Sequence, residues 1–204
     1  DARTDVDGDA YTGDSFFSGL QRLPEVYLVS EQSDLKWDVL RRIPSRFTVG
    51  WGHFDEEPGN TRLDRYLFNW QLQNLNLPLG RRMRLTPTAE VRQTFYGDED
   101  FTALYRYNFT LPLRQEIGPY VVSNLRYSTQ QAHGFTPFRF DNVYPYETIT
   151  ESLEFNNNRN LRMNLTGGRD LEYGRWQDAA FRADVEFAPN VTMTQAVAYD
   201  LNNK

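Results

Sequence analysis

The sequence predicts an all-β protein, an antiparallel transmembrane β-barrel. Two observations carry the β class: side chains alternate between apolar and polar over long stretches, and no stretch of similar length has a helical period. Strand length narrows it to a barrel. Several segments run well beyond the roughly five or six residues of ordinary soluble strands, and reach the roughly 9 to 11 needed to cross a bilayer at a tilt.

Taken in order, the first strand is expected over Pro24 to Gln32. In "RFTVGWGHF", Phe47, Val49 and Trp51 oppose Arg46, Thr48, Gly50 and Gly52. In "RYLFNWQLQN", Tyr66, Phe68, Trp70 and Leu72 oppose Arg65, Asn69, Gln71 and Gln73. The phase then slips, since Leu75, Leu77 and Leu79 have the other parity, so a bulge is expected near Asn74. In "MRLTPTAEVRQTFY", Met83, Leu85, Ala89, Val91 and Phe95 oppose Arg84, Glu90, Arg92 and Tyr96. Pro87 and Pro112 each withhold a ladder donor, which predicts a bulge or weak pairing at both. "FTALYRYNFTLPLR" sets Phe101, Tyr105, Tyr107, Phe109 and Leu113 against Arg106, Asn108 and Arg114. Further strands are expected at Tyr120 to Gln130, Tyr146 to Asn156, Asn160 to Gly167, Ala180 to Ala188 and Val191 to Leu201, making about ten. The nearest helical pattern, "SDLKWDVLRRI", is short and ends at Pro44. An extra strand could be hidden in that connection, Ser33 to Pro44.

Alternation cannot say which solvent sees which face, because a soluble antiparallel sheet is also two-faced. Two further features favour a membrane. Connections alternate between longer ("DEEPGNT", "GDED" with only four residues, "QAHGFTPFRFDNVYP", "GRDLEYGRWQDA") and tight ("LGRR", "QEIG", "NNNR", "PN"), the long Ser33 to Pro44 connection apart, as in barrels with short turns on one side and loops on the other. Aromatics Trp51, Tyr66, Phe95, Phe101, Tyr120, Tyr127 and Tyr146 are expected near strand ends, where barrels carry aromatic girdles. On this reading Phe47, Trp51, Phe68, Trp70, Leu85, Val91, Phe95, Tyr105, Tyr107, Phe109, Phe181 and Phe187 face lipid. The lumen wall is Arg84, Glu90, Arg92, Arg106, Arg126, Arg162, Arg182 and Glu186, charges that could contact a saccharide or a plug, or simply pair with one another.

Composition sets the bounds. Of 204 residues, 15% are aromatic, high for a soluble domain. A net charge of -6, with Lys36 and Lys204 the only lysines, gives no basic patch for nucleic acid. Zero cysteines exclude disulfides and thiolate chemistry. Residues 1–18 are expected to be an acidic loop or linker and 19–204 the barrel strands. The abrupt end, "AVAYDLNNK", suggests a piece of a longer chain.

The segments "LQRLPEVYLVSEQSDL", "TRLDRYLFNWQLQNLNLPLGRRMRLTPTAEVRQTFY", "FTPFRFDNV" and "WQDAAFRADVEFAPNVTMTQAVAYDLNN" resemble, in that order, the C-terminal barrel of the LptD family, the organic-solvent-tolerance proteins. The most specific part is a strand ending in "LNLPL" followed by one ending in "TFY". The resemblance spans Gly19 to Asn203 and implies an arc of a larger bacterial outer-membrane barrel. In that family the barrel inserts lipopolysaccharide into the outer leaflet through a lateral opening between its terminal strands. A plug lipoprotein and periplasmic bridge proteins are the partners so implied. The family's disulfide-bonded members differ from this cysteine-free chain.

Chemistry elsewhere is thin. Asp5, Asp7 and Asp9 have the first spacings of a calcium loop, but Ala10 and Phe16 stand where glycine and a bidentate Glu belong. A solvated acidic loop is the simpler reading. His53 precedes Asp55, Glu56 and Glu57, and His133 lies between Ser128 and Asp141, enough to assemble a hydrolytic site on paper only. No cofactor and no reaction are expected. The alternatives are a self-contained small porin, a barrel enzyme and a soluble β-sandwich.

Overall fold

A computed structural model of the chain describes residues 20–34, 43–57, 61–73, 75–157, 159–189 and 191–202. The strands are β1 (Leu20–Glu31), β2 (Ser45–Glu56), β3 (Thr61–Leu72), β4 (Leu77–Pro78), β5 (Met83–Leu85), β6 (Thr88–Tyr96), β7 (Ala103–Glu116), β8 (Val121–Gly134), β9 (Tyr146–Asn156), β10 (Leu161–Asp170), β11 (Arg175–Ala188) and β12 (Val191–Tyr199). They form one 12-stranded sheet, ordered β1-β2-β3-β6-β7-β8-β9-β10-β11-β12, with β4 on β5 and β5 on β7. The pairs β1–β2, β4–β5, β5–β7, β8–β9, β9–β10, β10–β11 and β11–β12 are antiparallel. Next-door strands pair because period-two patterns separated by short turns fold back as hairpins. Among the described residues the only helical pieces are single 3-10 turns, Gln32–Asp34 and Arg139–Asp141. The acidic leader, the "SDLKWDVLRRI" segment and Asn74 lie wholly or largely outside the described residues.

The strand limits differ from the expected ones at several places. The stretch Met83–Tyr96 is two strands, broken at Thr86 and Pro87. Proline has no N–H to continue the ladder, yet both pieces lie on one partner: β6 neighbours β7 in the sheet, and β5 pairs with β7 through Leu85↔Leu113 and Arg84↔Arg114. Pro112, by contrast, sits inside the continuous β7, where its carbonyl still accepts from Thr86 N at 3.1 Å. The loop expected at "GRDLEYGRWQDA" is only the turn Leu171–Gly174, because β10 and β11 continue into it through Gly168↔Gln177 and Asp170↔Arg175. Glycine and charge at 167–170 imitate a turn. Long and short connections therefore alternate less regularly than expected. Trp51, Tyr66 and Tyr127 are mid-strand, since β2, β3 and β8 extend further than their apolar patterns; only Phe95, Phe101, Tyr120 and Tyr146 stand at strand ends.

The chain divides into two compact units, one of Asp1–Gln71, Glu90–Tyr107 and Ala132–Tyr144, the other of Leu72–Ala89, Asn108–Gln131 and Pro145–Lys204. The first has a small core of Phe54, Tyr96, Leu104 and Phe138, with Leu63, Ala132 and Phe140 against it. Phe138 and Phe140 come from the loop after β8. That loop leaves the strand at Gly134, whose φ of +102° suits glycine and where any Cβ would run into the Ala103 carbonyl. Phe135 N then donates to the Ala103 carbonyl at 3.0 Å.

Candidate functional site

In the first unit the two sheet faces differ sharply. The register Val26↔Trp51 and Leu28↔Val49 puts four apolar side chains on one face of β1 and β2, because directly paired residues point the same way. Tyr66, Phe68 and Phe95 join Val26, Leu28, Val49 and Trp51 around one shallow depression. All seven are exposed, Leu28 by 72% and Val26 by 59%. On the neighbouring positions, Gly50, Gly52, Phe54 and Glu56 of β2 and Arg65, Leu67 and Asn69 of β3 are buried. The exposed side is apolar, and the buried side mixes charge with an aromatic core. Tyr27 pairs with Gly50, and its ring occupies the space that a Cβ on that glycine would need.

The buried side is held by ions and aromatic rings together. Arg65 and Asp141 form a two-bond pair, Nε to Oδ2 at 2.6 Å and Nη2 to Oδ1 at 2.7 Å, with side chains only 6% and 7% exposed. Tyr96 Oη donates to the same carboxylate at 2.9 Å. The Arg65 guanidinium also lies over Phe54 and Phe140, 5.4 and 5.5 Å from the ring centroids. Glu56 receives the backbone N–H groups of Arg139 and Phe140 at 2.7 and 3.1 Å. The loop carrying Phe138, Phe140 and Asp141 is thus fastened to β2, β3 and β6. A second cluster centres on Glu90, whose Oε1 accepts from Arg92 at 2.9 Å and Arg106 at 3.1 Å. Asn69, with its amide turned to donate, adds a bond at 3.1 Å.

The second unit is arranged differently. Its polar face lines a cavity of about 640 Å³, with Arg84, Arg114 and Arg126 in the wall. Arg84 stands directly opposite Arg114, and Arg126 opposite Thr150. Farther along the sheet, Arg162 faces Asp184 across β10 and β11. Arg182 bonds Asp184 at 3.0 Å, and Thr194 donates to the same carboxylate at 2.6 Å. Glu186 is exposed, and pairs in register with Thr192.

Of the aromatic residues expected toward lipid, Trp51, Phe68, Phe95, Tyr105, Phe181 and Phe187 are exposed. Phe47, Trp70, Leu85, Val91, Tyr107 and Phe109 are half-buried. Trp70 donates its indole N–H to Ser45 at 3.2 Å, Tyr107 packs on His133 and Phe109 on Tyr127, and Leu85 pairs with Leu113.

The two histidines have other partners than those the sequence suggested. His53 Nδ1 is 2.8 Å from Asp64, and Arg62 donates to its Nε2 at 3.0 Å. That pattern fixes the proton on Nδ1 and occupies the nitrogen a general base would use. Glu56 and Asp141 are committed to the loop. Asp5, Asp7 and Asp9 lie outside the described residues, and among the described ones no group of three or more His, Cys, Asp or Glu side chains could hold a metal ion. In the turn after β6, Asp98 receives the Thr102 hydroxyl at 2.5 Å and the Thr102 N–H at 2.6 Å. Those bonds, the hydroxyl's first, hold its carboxyl below the usual aspartate range.

Sequence reasoning missed the Arg65–Asp141–Tyr96 network. The signal was three phenylalanines and an aspartate in "FTPFRFD", too apolar for a solvated loop. No family model matches the sequence, and no curated protein matches it at a significant level.

Proposed function

We propose that this chain is the strand-bearing part of a bacterial outer-membrane β-barrel that moves a lipopolysaccharide-like glycolipid into the outer leaflet. The observation that carries the membrane reading is the exposed apolar face backed by buried charge. Val26, Leu28, Val49, Trp51, Tyr66, Phe68 and Phe95 are exposed together, while an Arg–Asp pair, Glu56 and Asn69 are buried behind them. A contiguous apolar face of this kind is costly in water and rare on soluble monomers. Against acyl chains it costs nothing, and the charges gain a polar interior in return. Absence of an apolar helix is neutral here, since barrels cross with strands.

Cargo is inferred from the resemblance of the strand sequences to the LptD family and from the arginine-rich polar face. An amphipathic glycolipid suits such a wall: the saccharide meets charge and hydrogen-bonding groups while its acyl chains follow the outer face. The plug lipoprotein and periplasmic bridge partners belong to the same reading, and no reaction is assigned.

The test is made in the native host. The polypeptide is expected in the outer-membrane fraction, to migrate faster on SDS gels before boiling than after, and on depletion to stop newly made lipopolysaccharide from reaching the cell surface. Recovery in a soluble fraction would overturn the membrane reading. Undiminished surface lipopolysaccharide in a depleted outer membrane would leave a barrel with another task.

A further inference from the structure

We propose that Arg84, Arg114 and Arg126 form a binding site for a phosphate monoester on the polar face of the second unit. Three observations point there. First, Arg84 on β5 and Arg114 on β7 occupy directly opposed positions, an arrangement in which like charges repel and destabilise a sheet. Second, all three arginines are exposed, and among the described residues none has a carboxylate within ion-pair distance. Third, all three line one cavity of about 640 Å³, within the usual range of roughly 300 to 1,000 Å³ for small-molecule sites.

Three acids, Glu151, Glu154 and Asp178, share that wall, and among the described residues none is within ion-pair distance of the three guanidinium groups. Glu154 accepts from Asn124 at 3.0 Å. Glu151 pairs in register with Leu125 and Gly167 and accepts from Ser123 at 3.2 Å. Asp178 falls at the register shift of β11, between Gln177, paired with Gly168, and Ala180, paired with Thr166. A dianion placed between the facing arginines would turn their repulsion into attraction. Guanidinium forks match phosphate oxygens with two parallel hydrogen bonds, and Thr86, Asn124 and Gln177 in the same wall offer further hydrogen bonds to an attached sugar. That the phosphate arrives on a glycolipid rests on the function proposed above; the site itself does not.

The experiment uses the native polypeptide extracted in detergent. Phosphorus NMR follows inorganic phosphate and glucose 1-phosphate on addition of protein, with glucose, followed by proton NMR, as the uncharged control. Saturable binding of both phosphates, with none of glucose, is expected. Affinity should fall about tenfold or more in Arg114→Gln and be lost in the Arg84→Gln/Arg114→Gln double variant. Arg62→Gln, in β3 of the first unit, where the side chain donates to His53, should bind as the parent does. Binding that does not saturate, or that survives the double variant in full, overturns the site. If the double variant does not fold, judged by its gel mobility before boiling, Arg126→Gln on β8 carries the same test. Competition by a phosphorylated lipid A-type glycolipid, absent with its dephosphorylated form, identifies a lipid source. Competition by glucose 1-phosphate alone keeps the site and overturns the glycolipid reading.

Discussion

At the scale of single residues, the most consequential pair is Arg65 with Asp141. Their burial means that each charge has exchanged water for the other, for Tyr96 and for two aromatic faces. Removing one partner leaves a buried, uncompensated charge, which costs about 3 to 5 kcal/mol. Asp141→Asn and Arg65→Met should each lower the unfolding free energy by that order in urea titration. The double variant Arg65→Met/Asp141→Leu should recover most of the loss, and a double-mutant cycle measures the difference. Asp98 makes a smaller, pH-dependent contribution. Because the folded carboxyl titrates below its unfolded value of roughly 3.9, the Thr102 bonds stabilise the turn fully above that pH. They are lost as the pH falls through the lower folded value. The carboxyl carbon of Asp98 should therefore titrate below an ordinary aspartate by NMR. Thr102→Val should move it back up.

At the scale of strands, the two faces make opposite demands. Leu28 and Val29 are neighbours on β1, one paired with Val49 and the other with Thr48, and both are exposed. If the Leu28 face meets hydrocarbon, Leu28→Arg should cost up to about 2 to 4 kcal/mol, depending on its depth, while Val29→Arg should cost about 1 kcal/mol or less. In a water-facing sheet both would be close to neutral. Unfolding from lipid vesicles separates the cases. Parity made this contrast legible in the sequence: the alternation of Val91 and Phe95 with Glu90 and Arg92 needs no neighbours to be read. Strand limits were less legible, since Gly167, Gly168 and the charges after them resemble a turn in isolation. Only the partners Gln177 and Arg175 show that β10 continues. The Arg65–Asp141 pair lay further out of reach, because it joins residues 76 positions apart and local pattern says nothing about such a contact.

At the scale of the whole molecule, the membrane reading turns on the edge of the sheet. Every residue of β12 from Val191 to Tyr199 is exposed, and in the sheet order β12 stands last, beside β11. An unpaired strand in hydrocarbon leaves N–H and C=O groups without partners, at a cost of several kcal/mol each. Lipid therefore requires a further strand along β12. It could come from β1, closing a barrel of ten main strands, or from sequence outside these residues, enlarging the arc. The glycolipid proposal calls for the second, because its resemblance is to part of a larger barrel. The native polypeptide extracted from membranes should then have an intact mass several-fold above the 23.9 kDa of this chain. A further test is a cysteine cross-link: Thr194→Cys, on the edge strand β12, should form a disulfide with a cysteine placed in the added sequence. A native mass near 23.9 kDa, with that cysteine cross-linking to β1 instead, would make the protein a small closed barrel and remove the ground for glycolipid transport.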